Sequence, residues 1–507
     1  MSARTESLLR FIYDSRAADV ASRLDRLIDR YREHVSSPDG YRAGELPLNE
    51  RDAIMTAYGE SLHGGDGSPL AHLLRFLDDE AEGVISGVHL LPFSSGIDSR
   101  EVDHELGDWA DIEAIADDFM LMADLVPNDC SVQGPWFQSF LRDEPPYNAY
   151  FVTASPDDDL SEVVRPCAHP LLTRYETAAG ARYVWTTFSP DRVDLDYSNP
   201  DVLIEMLDVF LGYIVRGARA IRLGAIAYLW KEIGTPCVHH PKTHAVVKLM
   251  RAVVDEIAPW VVIVADPNDP HQESPGYFGS GDDEAHLVYN VALPPLVLDA
   301  FLGADSATLS DWARDLHDPG PTASFFNLLS SHDAIAPTLL PDSQRARIFL
   351  AAQSIVLALA GVPGSDYHSL TGSEGSHLSV DEVSALLNEP GSLPNLVFDG
   401  YKALLRARAG SDAFSPAADQ RVLAAPAAIL ALLRTAKTGG RVLCLVNVTG
   451  EEAEVSFTDG ELGLGDEKVF RELVTDTFLY PSRDDGNRIS LVVDAYEVLW
   501  LAYAPDS

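Results

Sequence analysis

The chain has 507 residues, 46% of them hydrophobic, enough for a sizeable core and too many for one minimal domain. Acidic residues number 78 against 37 basic ones, and the net charge of −41 repels nucleic acid and anionic membrane, excluding both as partners. No apolar run reaches about 18 residues and no basic-then-apolar stretch opens the chain, so the expectation is a soluble, cytoplasmic protein. Only six of the basic residues are lysines; such a surface fits adaptation to high salt or, equally, the acidic proteome of a GC-rich genome. Cys130, Cys167, Cys237 and Cys444 lie far apart without CxxC spacing, which reads as isolated thiols. Neither a metal site nor a cofactor is expected.

Residues 1–44 form an N-terminal helical segment. Leu8, Leu9, Ile12 and Tyr13, then Val20, Leu24, Leu27, Ile28 and Tyr31, recur at three-to-four spacing, and Ser36-Ser37-Pro38-Asp39-Gly40 ends the run. Eight short apolar runs follow as candidate strands: Ala53–Tyr58, Gly87–Pro92, Met120–Val126, Ala220–Ala225, Trp260–Ala265, Ala285–Ala292, Ala323–Leu329 and Ile355–Val362. Helical stretches such as Pro200–Arg219 and His244–Ile257 lie between most of them. Alternation of this kind predicts a (β/α)8 TIM barrel over residues 45–410. A stretch at 128–197, rich in Pro and Asp, is too long for a plain loop and reads as a subdomain inserted after the third strand. Over 411–507 the texture changes. Arg441–Val448, Ala453–Phe457, Val469–Thr475, Ile489–Val493 and Glu497–Tyr503 are short alternating runs, the pattern of a small antiparallel β domain.

In such a barrel, chemistry belongs at the carboxyl ends of the strands. The third strand ends ADLVPND (Ala123–Asp129) and the fourth opens IRLGAIAYLWKEIGT (Ile221–Thr235). The fifth ends VADPNDPH (Val264–His271), and the seventh ends SSHDA (Ser330–Ala334). With VWTTFSPDRVDLDYSNP (Val184–Pro200), YFGSGDDEAHLVYNVALPPLV (Tyr277–Val297) and GVPGSDYHSLTGS (Gly361–Ser373), these motifs resemble the α-amylase superfamily, glycoside hydrolase family 13. The resemblance is to its sucrose-phosphorylase-like branch, and it runs from about residue 45 to 450.

What the resemblance implies is specific. Asp124, Asn128, Arg222 and His332 stand as substrate-binding residues, Asp266 as the general acid and Asp333 as the carboxylate that stabilises the distorted sugar. Asp129 replaces a histidine that hydrogen-bonds the glucosyl unit; an ionised carboxylate accepts but cannot donate. Asp266 is one methylene shorter than the glutamate of the branch, and a misplacement of roughly 1 Å can cost a hundredfold. Gly224 occupies the position of the nucleophilic aspartate. Without that carboxylate, Arg222 is expected to be an unpaired cation beside an opened cavity. Other departures fall on the same face: the segment after Phe93 is short (Ser94–Ser99), Cys167 replaces an arginine, and AIAPTLLP follows Asp333.

Retaining glycoside chemistry needs two carboxyl groups about 5 Å apart. The expectation is therefore a pseudoenzyme, a glucoside- or sugar-phosphate-binding or regulatory protein that has lost retaining transfer. The alternative is an active phosphorylase or glycosyltransferase in which inorganic phosphate attacks directly, with inversion and with Asp266 as acid. The expected assembly is a monomer or homodimer. His239-His240 reads as one packed and one solvated side chain.

Overall fold

The computed structural model describes residues 2–37, 41, 44–64, 66–94, 96–98, 100–267, 274–329, 340–373, 378–464, 469–483 and 488–503. Eight strands close a barrel in chain order: β1 (Ile54–Tyr58), β2 (Gly87–Leu91), β3 (Met120–Leu125), β4 (Ala218–Gly224), β5 (Val262–Asp266), β6 (Leu287–Tyr289), β7 (Ser324–Leu328) and β8 (Val362–Asp366). β1 with β8, β3 with β4, β4 with β5, β5 with β6 and β7 with β8 pair parallel. Parallel strands covered on both faces read as unbroken apolar runs, and β3 and β4 are buried along almost their whole length. The chain divides into two interleaved units, Met1–Pro47 with His89–Tyr289 and Leu48–Val88 with Asn290–Ser507.

In the first unit the N-terminal segment is two helices, not one. α1 (Ala3–Tyr13) and α2 (Ala17–Arg32) are separated by a turn in which Asp14 sits at φ 49°, outside helical space. Both keep the stripe read from the sequence, with Leu9, Ile12, Val20, Leu24, Leu27 and Ile28 buried. The helix before β4 begins where Asn199 caps its first turn with Pro200 at the first position, and it ends at Val215, short of the expected Arg219. Between β3 and β4 the chain pairs Asp129–Ser131 with Arg192–Asp194, antiparallel, and adds a helix at Pro135–Leu141. A hairpin of Leu172–Thr177 and Gly180–Trp185 follows.

In the second unit one strand differs from expectation. The run Ile355–Val362 is not a strand; its first part ends a buried helix, Asp342–Ala358, and β8 starts at Val362. A buried helix and a buried strand both read as apolar runs, and Gly361 divides them. Gly361 has φ +143°, and a Cβ there would meet Phe325 O at 2.8 Å and Asn327 Nδ2 at 2.4 Å, so only glycine fits. After the helix Leu393–Ala409, an antiparallel region contains two sheets. With β9 (Asp419–Val422), β10 (Ile429–Thr435), β11 (Arg441–Asn447), β12 (Ala453–Thr458), β13 (Phe470–Glu472), β14 (Thr477–Leu479), β15 (Ser482–Arg483), β16 (Arg488–Val493) and β17 (Val498–Tyr503), the orders are β9-β10-β11-β17-β13-β14 and β12-β16-β15. Leu443, Leu445, Val455, Phe457, Ile489 and Leu501 fill the core of this region. No helix among the described residues is long and apolar enough to cross a membrane.

Candidate functional site

Register brings the site together. Asp124 on β3 stands opposite Arg222 on β4, and Gly224 on β4 stands opposite Asp266 on β5. Strand side chains alternate faces, so Arg222 and Gly224 share one face, two residues apart.

Arg222 is the hub. Its Nη1 donates to Asp124 Oδ1, and its Nη2 donates to Asp266 Oδ2 at 2.6 Å. The three side chains are 18%, 2% and 13% exposed, so this is a largely dry ion triad with a small opening at the arginine. The Tyr289 ring lies under the guanidinium, its centroid 5.6 Å from Cζ. The expectation of an unpaired Arg222 is therefore corrected: two carboxylates from neighbouring strands bind it. Its Nε is buried with no hydrogen-bond partner among the described residues.

The electrostatics follow from that arrangement. Burial works to raise the Asp124 carboxyl, but His89 (Nε2 3.6 Å from Asp124 Oδ1) and the Arg222 charge outweigh it and hold the group below its ordinary value. Burial acts against the Arg222 cation too; attraction from Asp124 and Asp266 prevails and keeps it charged. His89 is pushed down by burial, toward the neutral imidazole.

The expected cavity at Gly224 is also corrected. A Cβ built there would lie 3.1 Å from Arg222 Nη1 and 3.2 Å from Val126 Cγ2, tighter than ordinary contact. The guanidinium itself occupies the ground beside Gly224. The next residue, Ala225, has φ 52°, left-handed for a residue with a Cβ, and turns the chain sharply away from the strand end.

A second cluster, missed at the level of sequence, lies a few residues further along the same segments. Lys231 Nζ contacts Asp194 Oδ2 at 2.6 Å, Asn128 Oδ1 at 2.5 Å and the Tyr228 carbonyl. Asp194 also accepts from Thr187 N (2.9 Å), Thr187 Oγ1 (2.6 Å) and Asn128 Nδ2 (3.2 Å). Asn128 therefore serves this network, and no contact joins it to Arg222. Asp129 is bound to Arg192 Nε at 2.6 Å and accepts from Asn128. Its carboxyl is raised, burial outweighing the pull of Arg192. The signal available in the sequence was lysine's rarity.

His332 and Asp333 lie outside the described residues, as does the stretch 268–273 that follows the fifth-strand motif. His239 Nδ1 is 3.2 Å from Tyr277 OH, and His240 Nδ1 caps the helix at Pro241–Ile257 through Lys242 N at 3.1 Å. Among the described residues no three His, Cys, Asp or Glu side chains are grouped to hold a metal ion.

Comparison with known proteins places the chain in a family. The sequence profile of the α-amylase catalytic domain matches residues 97–360. The chain is 42% identical to a glucosylglycerate phosphorylase of Spirochaeta thermophila, across 98% of both chains. It is 38% identical to one from Allomeiothermus silvanus, across 88% of this chain and 93% of that one. The solved sucrose 6F-phosphate phosphorylase of Thermoanaerobacter thermosaccharolyticum superposes with a TM-score of 0.65 at 19% identity, covering 79% of this chain and 94% of that one. At that identity the likeness speaks for the fold alone.

Proposed function

The chain belongs to the α-amylase family, glycoside hydrolase family 13, among relatives named as phosphorylases, and from that premise we propose that it is a glucoside-binding protein that has lost retaining glucosyl transfer. One observation carries the reading. At Gly224, the position that the motif resemblance gives to the nucleophile, the Arg222 guanidinium lies against the backbone while binding both nearby carboxylates. A double displacement needs a carboxylate free to attack and a second carboxyl group able to give up a proton. Asp266 is instead held by the Arg222 guanidinium through Oδ2, so the carboxyl group is engaged within the triad. Direct attack by phosphate finds no support here: it needs open room at Gly224 and an acid disengaged from its neighbours, and the Arg222 guanidinium lies against both positions. What the triad offers is polar recognition of sugar hydroxyls at a strand-end site, and glucosylglycerate, the substrate in the relatives' names, is the ligand to try first.

The test has two arms. Titration calorimetry with glucosylglycerate, sucrose and glucose should give binding, and absence of binding to all three overturns the glucoside-binding reading. In parallel, protein with glucosylglycerate and inorganic phosphate should release no glucose 1-phosphate of either anomer. The α-anomer would mean retention survives, and the β-anomer would mean direct displacement. A third measurement probes the space itself. α-Glucosyl fluoride needs no acid, so sodium azide should accelerate fluoride release only if a nucleophile can enter beside Gly224; no acceleration is expected.

A further inference from the structure

The two N-terminal helices end in phenols, Tyr13 buried and Tyr31 half-buried, whose hydroxyls reach backbone and acid groups far away in sequence. Tyr13, at the end of α1, is 3% exposed, and its hydroxyl donates to Tyr197 O at 3.0 Å. Tyr197 is 1% exposed, and its own hydroxyl donates to Pro127 O at 2.8 Å. Pro127 and Tyr197 are the exit and return points of the inserted segment, and Leu195 N closes them together on Asn128 O at 2.9 Å. Asn128 in turn reaches Lys231. A parallel branch leaves α2: Tyr31 OH donates to Asp208 Oδ1 at 2.8 Å, and Asp208 also binds Arg100, held at φ 57° in the shortened segment after β2.

A buried hydroxyl needs a partner, and these phenols have partners at places where loops leave the catalytic face. We infer that Tyr13 and Tyr197 are positioning residues: through them the N-terminal helix pair fixes both junctions of the inserted segment, and so the backbone three residues beyond Asp124. Neither phenol touches Arg222 or its carboxylates. Their effect is on where Asn128 and the inserted segment stand when a ligand arrives.

Tyr13→Phe and Tyr197→Phe keep the rings and delete only the hydroxyls. Hydrogen exchange followed by mass spectrometry should quicken roughly three- to tenfold in peptides covering 127–131 and 193–199, the change in opening constant that one ordinary hydrogen bond produces. Exchange elsewhere in the first unit should stay at the wild-type rate. Val20→Ala, a packing deletion in α2, should lower the melting temperature without that local pattern. Unchanged junction exchange in both variants overturns the inference, as does a uniform rise across the unit. If Tyr197→Phe fails to fold, Tyr13→Phe decides alone. Glucosylglycerate affinity should fall by a similar factor in the phenylalanine variants and stay level in Val20→Ala. That arm rests on the glucoside-binding reading; the exchange arm needs no ligand, so failure of one is distinguishable from failure of the other.

Discussion

Two cations of the first unit sit among carboxylates a few residues apart in the same strands and loops, yet they differ in kind. Lys231 has three N–H donors and three acceptors, and its side chain is 4% exposed. Arg222 has five donors, two of them engaged with carboxylates; its Nε is idle, and its side chain is 18% exposed. A saturated, dry cation can only hold structure. One with donors to spare and a face toward solvent can also meet a ligand. The difference suits the Lys231 cluster to a framing role and, on the glucoside-binding proposal, leaves Arg222 with donors for a ligand.

The comparison can be broken most sharply at Lys231. Lys231→Met strands Asp194 as a buried, uncompensated charge, and the expected loss is about 3–5 kcal/mol. Scanning calorimetry should place the unfolding transition about 3–5 °C lower; a wild-type transition would make the two clusters equivalent. Arg222→Met should lose less, about 2–3 kcal/mol, because the guanidinium keeps some contact with water. Here pH gives the sign. Asp124 is held below its ordinary value, so its stabilisation is present above the unfolded carboxylate pKa of about 3.9 and is lost as pH falls through the folded value. The gap between wild type and Arg222→Met should therefore close in acid, measured by urea unfolding from pH 7 down to pH 3. A gap independent of pH would mean that Asp124 is not the partner that matters.

Gly224→Ala sharpens the comparison from the other side. The added methyl must displace Arg222 or Val126 by a few tenths of an ångström, and the expected cost is about 1–2 kcal/mol, with weakened sugar binding by calorimetry. A neutral or stabilising alanine would show that the space is free. The smallest effect is expected at Asp98, which accepts from Trp136 N at 3.1 Å and whose carboxyl is raised chiefly by burial. A raised acid contributes stability that is present below its unfolded pKa and lost as pH rises through the folded value. Asp98→Asn, which keeps the acceptor, should be as stable as wild type near pH 4 and more stable by up to about 1 kcal/mol at pH 7.

Most of the barrel was legible in the sequence because parallel strands buried on both faces have one appearance, an unbroken apolar run. The same simplicity misplaced the eighth strand, since the end of a buried helix looks identical until Gly361 is recognised as the break. It also hid β10, Ile429–Thr435, a central strand whose buried length gives no alternation to find. At the site, the motif positions Asp124, Arg222, Gly224 and Asp266 could be read one by one, and the structure brings them together. Their pairing could not be read. Arg222 lies 98 and 44 residues from its two carboxylates, and only the strand register decides which acids it meets. For the same reason a glycine in place of an acid suggested a void, where geometry supplies a neighbour's guanidinium.

The interleaving of the two units has a consequence for how the protein is made. Arg408, fully buried, donates to the carbonyls of Glu50, Asp52, Gly361 and Phe414, so the segment that opens the second unit is tied to residues made near the end. On a ribosome, Leu48–Val88 emerges before the whole of His89–Tyr289 and must wait for Asn290 onward. At roughly 5–20 residues per second, that delay is on the order of 10–40 s. For that interval the first barrel strand lacks β8, its partner on one side, and the stretch of synthesis from residue 89 to 289 is when the nascent chain is most exposed to chaperones and to aggregation.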